Sequence, residues 1–230
     1  MEFRALIEEW PGESTAYFRE LPGCVVSAPT TEAALQAAPS VVEEYFRWLK
    51  KNEIVLFEEE VEAISVVLAE RSAGTEESWP FFDADKAAPT DQEIDNALNV
   101  GATTRALIIE LVAEVPAHLH EIASVSGGWS LTEHLEHLME SETWYVSRLL
   151  EHPAEEQPGP EMDADAISLK IFENAMDYEL ILRELTPEQR TRVYTHDGNA
   201  WTAAKVLRRM TGHLREHYPW MQAIANELME

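Results

Sequence analysis

The first seventy residues alternate apolar and charged positions in short runs, a pattern typical of β-strands. In residues 1–10, Phe3, Ala5 and Ile7 share one face, while charged side chains mostly occupy the other. The turn-forming sequence Pro-Gly-Glu-Ser at 11–14 joins this run to the next one and predicts a hairpin. The predicted order is β-β-β-α-β, with the elements at residues 1–10, 15–21, 25–28, 31–52 and 59–70.

After residue 90 the apolar positions recur at spacings of three and four, which indicates amphipathic helices. The second of these helices opens at Ser130, and Glu133 three positions later completes the sequence of a capping box. Four helices with at least one longer connection are typical of a bundle. They are predicted at residues 91–119, 131–152, 164–185 and 202–228.

A small, polar and turn-rich segment at residues 73–78 separates the two patterns and predicts a domain boundary. The expected fold class is α+β, with a small N-terminal domain at 1–72, a linker at 73–89 and a four-helix bundle at 90–230. The aromatic sequence Trp-Pro-Phe-Phe at 79–82 lies in this linker. We expect such a cluster to pack one domain onto the other.

Two histidines, His213 and His217, interrupt the apolar stripe of the last predicted helix. A spacing of four leaves only about 40° of rotation and about 6 Å of rise between them, so both imidazoles can reach one metal ion. Polar side chains buried in an apolar seam need partners, and a cation is one such partner. The alternative is a pair of ordinary core or surface histidines, since residues four apart are neighbours on any helix.

A third ligand is expected from the second helix of the bundle, because two nitrogens rarely hold a metal tightly. His134 and His137 both lie in its first two turns. Either one would complete a set of three histidines with an open fourth position, which is the arrangement of catalytic rather than structural zinc. The spacing alone does not choose between them.

Three short motifs in the C-terminal part resemble the DinB/YfiT-like superfamily of metal-binding four-helix bundles, over roughly residues 90–230. They are the Trp129-Ser130 helix start, the His137-Leu138 pair two turns later, and the His213/His217 pair on the last helix, which follows the Gly-Asn-Ala-Trp-Thr segment at 198–202. The resemblance implies His137, His213 and His217 as the metal ligands. His134 has no counterpart in the family pattern and is interpreted as a neighbouring group.

The resemblance also implies a function: a divalent-metal-dependent hydrolase, or a transferase that uses a low-molecular-weight thiol, acting on a small electrophile. The expected partner is therefore a small-molecule or thiol substrate, and no catalytic side chain is assigned. Nitrogen ligands suit Zn(II) or Ni(II), and the sequence does not choose between them. Trp129, Trp144, Tyr145 and Trp220 are candidate walls of a pocket beside the ion.

The N-terminal part resembles the HicB-like fold of small antitoxin and hypothetical proteins, over about residues 1–70. The resemblance rests on the Leu-Pro-Gly-Cys bend at 21–24 and the Thr-Glu-Ala-Ala-Leu helix start at 31–35. No ribbon-helix-helix or helix-turn-helix sequence follows this part. A protein-binding or dimerising role is therefore expected rather than an antitoxin role, and a non-catalytic interaction protein, with a homodimer as one form, is the alternative function.

Composition limits the other classes of partner. The chain carries 17 basic and 43 acidic side chains, for a net charge of −26, which opposes binding to nucleic acid or to an anionic membrane. A local basic cluster, Lys205, Arg208, Arg209 and Arg215, is interpreted as cations on a helix surface. No apolar run is long enough for a transmembrane helix and the N-terminus does not resemble a signal peptide.

The single cysteine, Cys24, rules out an intramolecular disulfide and fits a reducing, cytoplasmic location. Cys24 is interpreted as a buried small hydrophobe rather than a nucleophile. No histidine that could activate it occurs in the first 117 residues.

Overall fold

The computed structural model describes residues 1–57, 61, 63–75, 77–124, 128–152 and 162–230. The N-terminal elements follow the predicted β-β-β-α-β order, and they form one four-stranded sheet with a helix on one face. The start predicted for the last strand, residues 59–64, lies partly outside the described residues. The elements are β1 (Glu2–Trp10), β2 (Glu13–Phe18), β3 (Val25–Ala28), α1 (Thr31–Lys51) and β4 (Ser65–Ala73).

The sheet has the strand order β3-β2-β1-β4, in which β2 is antiparallel to both of its neighbours and β4 is parallel to β1. Trp10 pairs with Glu13 across the predicted hairpin, and Gly12 in the turn has a φ of +85°, a conformation that favours glycine. The apolar face of β1 packs against α1, as the alternation predicts. The opposite face is exposed at Glu2 and Arg4 but buried at Leu6 and Glu8.

The C-terminal part forms the expected four-helix bundle. Its long helices are α2 (Asp91–Glu114), α3 (Leu131–Ser147), α4 (Ala164–Arg183) and α6 (Ala203–Met229); between the last two lie a short helix, α5 (Pro187–Thr191), and a hairpin of β5 (Tyr194–His196) and β6 (Asn199–Trp201). The first two long helices are shorter than predicted, and the hairpin replaces a predicted loop. The α2 helix ends early because Val115 precedes Pro116 and adopts an extended conformation.

Two apolar clusters show how the long helices run. One cluster joins the first halves of α2 and α6 to the second halves of α3 and α4. The other joins the second halves of α2 and α6 to the first halves of α3 and α4. Hence α2 and α6 are parallel to each other and antiparallel to α3 and α4. The seam between α3 and α6 lies on the opposite side of the bundle from the seam between α2 and α4.

Buried ion pairs join the sheet to the bundle. Arg208 and Arg209 on α6 donate to the two carboxylate oxygens of Glu8 on β1, over 2.7 and 2.6 Å. Arg208 also donates to Asp85 over 2.9 Å, and Lys205 is completely buried with its ammonium group 4.2 Å from the centre of the Trp201 ring system. The interpretation of the basic cluster as surface cations is therefore wrong. The sheet covers this face of α6, and buried cations require partners.

The aromatic segment at 79–82 packs as predicted. Trp79 lies 5.9 Å from Trp10 on β1 and 5.6 Å from Trp201 on β6, measured between ring centres. Cys24 is buried, and burial raises the pKa of its thiol to about 12, which agrees with its interpretation as a small hydrophobe. None of the helices in the described ranges is long and apolar enough to cross a lipid bilayer.

Candidate metal centre

The first turn of α3 positions the histidines that this helix contributes. Ser130 accepts a hydrogen bond from the backbone N–H of Glu133, and the Glu133 carboxylate accepts one from the backbone N–H of Ser130, so the predicted capping box is present. This reciprocal pair sets where the helix begins. His134 and His137, three positions apart, consequently face α6 on the same side of the helix.

The α6 helix presents His213 and His217 to the same seam. Nε2 of His213 lies 3.0 Å from Nε2 of His137 and 3.2 Å from Nε2 of His217. One nitrogen atom from each of these three residues lies within 4.8 Å of the others. The structure therefore brings together the three side chains that the resemblance implied, although His137 and His213 are 76 positions apart in the chain. We refer to His137, His213 and His217 as the histidine cluster.

His134 does not join the histidine cluster but contacts it from the side. Its Nδ1 atom lies 2.9 Å from Nδ1 of His217, whose other nitrogen faces His213. This contact occupies the nitrogen of His217 that does not point into the cluster. Such a contact holds an imidazole ring in one orientation and one tautomer. The structure thus supports the interpretation of His134 as a neighbouring group.

Burial keeps the histidines of the cluster uncharged. The pKa of His213 is lowered to about 3, mainly by its removal from water and further by the charges of the neighbouring His137 and Arg209. The pKa of His217 is lowered to about 2, again mainly by removal from water and further by the three surrounding histidines. Burial also lowers the pKa of His137. Neutral imidazole is the form that binds metals, so the cluster is in its ligating state at neutral pH.

A cavity of about 630 Å³ opens beside the cluster. Trp129 and Trp220 flank it, with the Trp129 ring 4.8 Å from His137 and the Trp220 ring 5.1 Å from His217, between ring centres. Two of the four aromatic residues proposed from the sequence therefore line the pocket. The other two, Trp144 and Tyr145, pack against Trp201 in the core instead.

Two carboxylates that are close to the histidines in the sequence have other positions. Glu133 belongs to the helix cap, and Glu216 lines a separate cavity next to Glu13 and Tyr45. Burial raises the pKa of Glu216 to about 7, against the opposing effect of Arg209. Among the described residues, the group of potential ligands that converge on one point contains only the three histidines.

Two residues near the cluster were missed in the sequence. Ser141 lies one turn after His137, with its hydroxyl 3.4 Å from Nε2 of that histidine. Glu142 is buried and accepts hydrogen bonds from Arg105 on α2 over 2.5 to 3.0 Å, which ties α3 to the bundle. Ser141 could have been found in the sequence, because a residue four positions after His137 lies next to it on a helix. Nothing in the local sequence links Glu142 to an arginine 37 positions away.

The nitrogen separations fit a divalent ion. Zinc–nitrogen bonds of about 2.0–2.1 Å in a tetrahedron place neighbouring ligand atoms about 3.3 Å apart. The two nitrogen–nitrogen separations around His213, 3.0 and 3.2 Å, are close to this value. A set of three neutral imidazoles also matches the preference of zinc and nickel for nitrogen ligands. The residues present therefore fit a metal of this kind.

Comparison with known protein families identifies a match to the C-terminal part of the chain. The family model described as the DinB superfamily matches residues 101–221, which is more than half of the chain and includes the whole histidine cluster. Neither a curated protein nor a solved structure matches the chain. From the extent of the family match, the chain belongs to the DinB superfamily.

Proposed function

We propose that this protein is a metal-dependent enzyme of the DinB type that holds one divalent cation on His137, His213 and His217. The observation that carries the proposal is the convergence of three uncharged imidazoles beside a cavity, with no fourth protein ligand among the described residues. Three protein ligands with an open position are the usual arrangement of catalytic zinc sites. Members of the superfamily are typically associated with metals, which supports the same conclusion.

When bound, a divalent cation on neutral ligands supplies Lewis acidity, which favours the deprotonated form of a water molecule or a thiol. The protein residues hold and shape the site. His134 keeps the Nε2 atom of His217 directed at the cluster through the contact between the two Nδ1 atoms. Trp129 and Trp220 offer aromatic surfaces for the apolar part of a substrate and exclude water from the side of the cavity.

The proposed reaction is the attack of water, or of a low-molecular-weight thiol, on a small electrophilic substrate. A cavity of about 630 Å³ is in the range of small-molecule sites, so a substrate of that size fits. Zinc or nickel is the proposed metal, because the ligands are nitrogen atoms only. The net charge of −26 supports a protein that acts without nucleic acid or membrane partners, and we propose the cytoplasm as its location.

Metal analysis of the purified protein tests the site. We expect about one equivalent of zinc or nickel in the wild type and none in a His213→Ala/His217→Ala double variant. His118→Ala is the matched control, because His118 is an exposed histidine of the same chain, and its metal content should equal that of the wild type. Stoichiometric metal that persists in a folded double variant rejects the proposal.

Activity measurements then test the reaction class. The metal-loaded protein is assayed with a panel of activated esters, amides and electrophiles, with and without low-molecular-weight thiols, before and after treatment with a chelator. Turnover that is lost with the chelator and restored by the metal supports an enzyme. A protein that binds metal tightly yet turns over nothing in the panel favours the alternative function below.

The alternative is a non-catalytic interaction protein that uses the N-terminal part, for which we propose a HicB-like fold within residues 1–72. The specific observation in its favour is the edge strand β4, which exposes Val67 and Leu68 and has one unpaired edge in the described sheet. Edge strands of this kind can pair with a strand of another protein. A partner retained by the full chain and lost on Leu68→Pro, with metal content unchanged, supports this alternative.

A further inference from the structure

The α4 helix leaves an apolar stripe uncovered on the side of the bundle opposite the histidine cluster. Leu169, Phe172, Met176 and Leu180 follow spacings of three, four and four, and each is 55–62% exposed. We refer to these four residues as the α4 stripe. Single exposed apolar residues are ordinary on protein surfaces, but a continuous row of large ones marks an interaction site.

The neighbouring helix extends the uncovered surface. The α2 helix places the small residues Ala102, Ala106 and Ala113 in exposed positions. A groove of about 340 Å³ runs between the two helices, lined by Ile109 and Ala113 on α2 and by Leu169 and Phe172 on α4, among others. Large side chains on one helix beside small ones on the next form a surface of ridges and grooves onto which another helix pair can pack.

We propose that the occupant of this surface is a second copy of the chain, with the two α4 helices antiparallel about a two-fold axis near Asn174. A two-fold interface requires that each residue meet its symmetry counterpart across the axis. In this register Phe172 lies opposite Met176 of the other copy. Leu169 lies opposite a position next to Leu180 of the other copy. The α4 stripe is therefore complementary to itself.

One pair of opposite charges beside the stripe matches the same register. Asp165 at the start of α4 lies opposite Arg183 at its end, and the two-fold axis makes this pair twice. Arg183 already pairs with Asp95 and Glu179 on the rim of the surface, where its side chain is 40% exposed, so it can also reach a second chain. Antiparallel helices in addition place opposite ends of their dipoles side by side.

The size of the surface sets the expected strength. The α4 stripe spans about 17 Å along the helix, and with α2 beside it the uncovered face measures roughly 400–600 Å² per copy. Two such faces together bury an accessible surface area near the lower limit for specific protein–protein interfaces. We therefore expect a reversible dimer with a dissociation constant in the micromolar range. The histidine cluster and its cavity lie in the α3–α6 seam and stay accessible in this dimer.

Sedimentation of the full chain over a range of concentrations tests the surface. The wild type should shift from its monomer mass of 26.1 kDa towards twice that value as the concentration rises from 1 to about 300 µM. Met176→Glu should weaken the association at least tenfold. Val193→Glu is the matched control, because Val193 is also an exposed apolar residue but lies outside α4, and it should behave as the wild type. A wild type that stays monomeric throughout, or association unaffected by Met176→Glu, overturns the proposal.

Disulfide trapping tests the register. A mixture of Leu169→Cys and Leu180→Cys chains should form covalent heterodimers under mild oxidation, whereas neither variant alone should cross-link. Copies of the same position lie about 15 Å or more apart along antiparallel helices, which is beyond the reach of a disulfide. The native Cys24 is buried and does not interfere. Cross-linking of either variant alone, or no cross-linking of the mixture, contradicts the antiparallel register.

Discussion

At the scale of single residues, the most informative contact is the one between Nδ1 of His134 and Nδ1 of His217. At 2.9 Å it is a hydrogen bond between the two rings. A neutral imidazole carries one N–H, so metal binding at Nε2 of His217 requires that Nδ1–H of His217 donate to Nδ1 of His134. With Nδ1 of His217 occupied in this way, Nε2 is left for the cluster. His134 therefore acts as a positioning residue that prepares a ligand rather than as a ligand itself.

His134→Ala should reduce the affinity for zinc by about 10- to 100-fold without abolishing binding, because it removes the group that orients His217. His213→Ala should abolish stoichiometric binding, since it removes a ligand. Competition with a chromogenic chelator measures both affinities. Complete loss of metal in His134→Ala would make His134 a ligand, and an unchanged affinity would remove its positioning role.

The lowered pKa values of the cluster predict how the metal-free protein responds to acid. The pKa is about 3 for His213 and about 2 for His217 in the folded chain, compared with about 6.5 for an exposed histidine. Below pH 6.5 the unfolded chain therefore binds protons that the folded chain does not. The contribution of the two histidines to the free energy of unfolding is fully present above pH 6.5. It falls as the pH decreases, by up to about 1.4 kcal/mol per pH unit for each histidine.

Urea unfolding of chelator-treated protein at pH 7.5 and pH 5.0 measures this effect. The free energy of unfolding should fall more steeply between the two pH values in the wild type than in a His213→Asn/His217→Asn variant. The comparison cancels the contributions of other titrating groups that the two proteins share. Equal pH dependence of the two proteins would contradict the uncharged state of these histidines.

At the scale of elements, the start of α3 controls the placement of His134 and His137. Ser130 caps α3 and Thr90 caps α2, and both are members of capping boxes with a glutamate three positions later. The two caps are chemically matched, but only the first lies next to the candidate site. Replacing each cap in turn therefore separates the effect of losing a cap from the effect of moving the histidines.

Ser130→Ala and Thr90→Ala should each lower the free energy of unfolding by about 1 kcal/mol, the usual value of an N-cap hydroxyl. Only Ser130→Ala should also weaken metal binding, because fraying of the first turn of α3 displaces the histidines. Urea titration and chelator competition on both variants provide the measurements. Equal loss of metal affinity in the two would show that general destabilisation is responsible.

The sequence predicted the elements well where their signal is local. The capping box at Ser130, the alternation in β1 and the hairpin turn at Gly12 all depend on residues within a few positions of one another. The helix ends at Glu114 and Ser147 were less predictable, because apolar residues continue past them and pack as part of irregular segments. The short hairpin of β5 and β6 was missed because its strands have only three residues each.

At the scale of the whole molecule, buried charges connect the sheet to the bundle. Glu8 is completely buried, and although burial raises its pKa, Arg209 and Arg208 outweigh that effect and lower it, so the carboxylate is ionised. The two arginines stand about 200 positions later in the chain. The N-terminal strands and the last helix consequently depend on each other, although the domain boundary near residue 73 stays a prediction from the sequence.

Glu8→Gln should destabilise the protein by about 3–5 kcal/mol, because it removes the carboxylate that Arg209 pairs with and one of the two that Arg208 pairs with. Glu2→Gln is the matched control on the same strand: Glu2 is exposed, and its replacement should change stability by less than about 0.5 kcal/mol. Calorimetry should show a single unfolding transition in the wild type. Two separate transitions in the wild type, or equal effects of the two substitutions, would contradict the coupling.

The sequence by itself determined the order of the N-terminal elements and of the four long helices, the α+β class and the three histidines of the candidate site, because these follow from local periodicity and from short motifs of the family. Only the tertiary structure decided which nitrogen atoms meet, that His134 supports His217, and that the basic residues of α6 are buried against β1. The reason is physical: periodicity reports whether a position faces the inside, but the partner of a buried polar group is chosen by packing between segments that are distant in the chain.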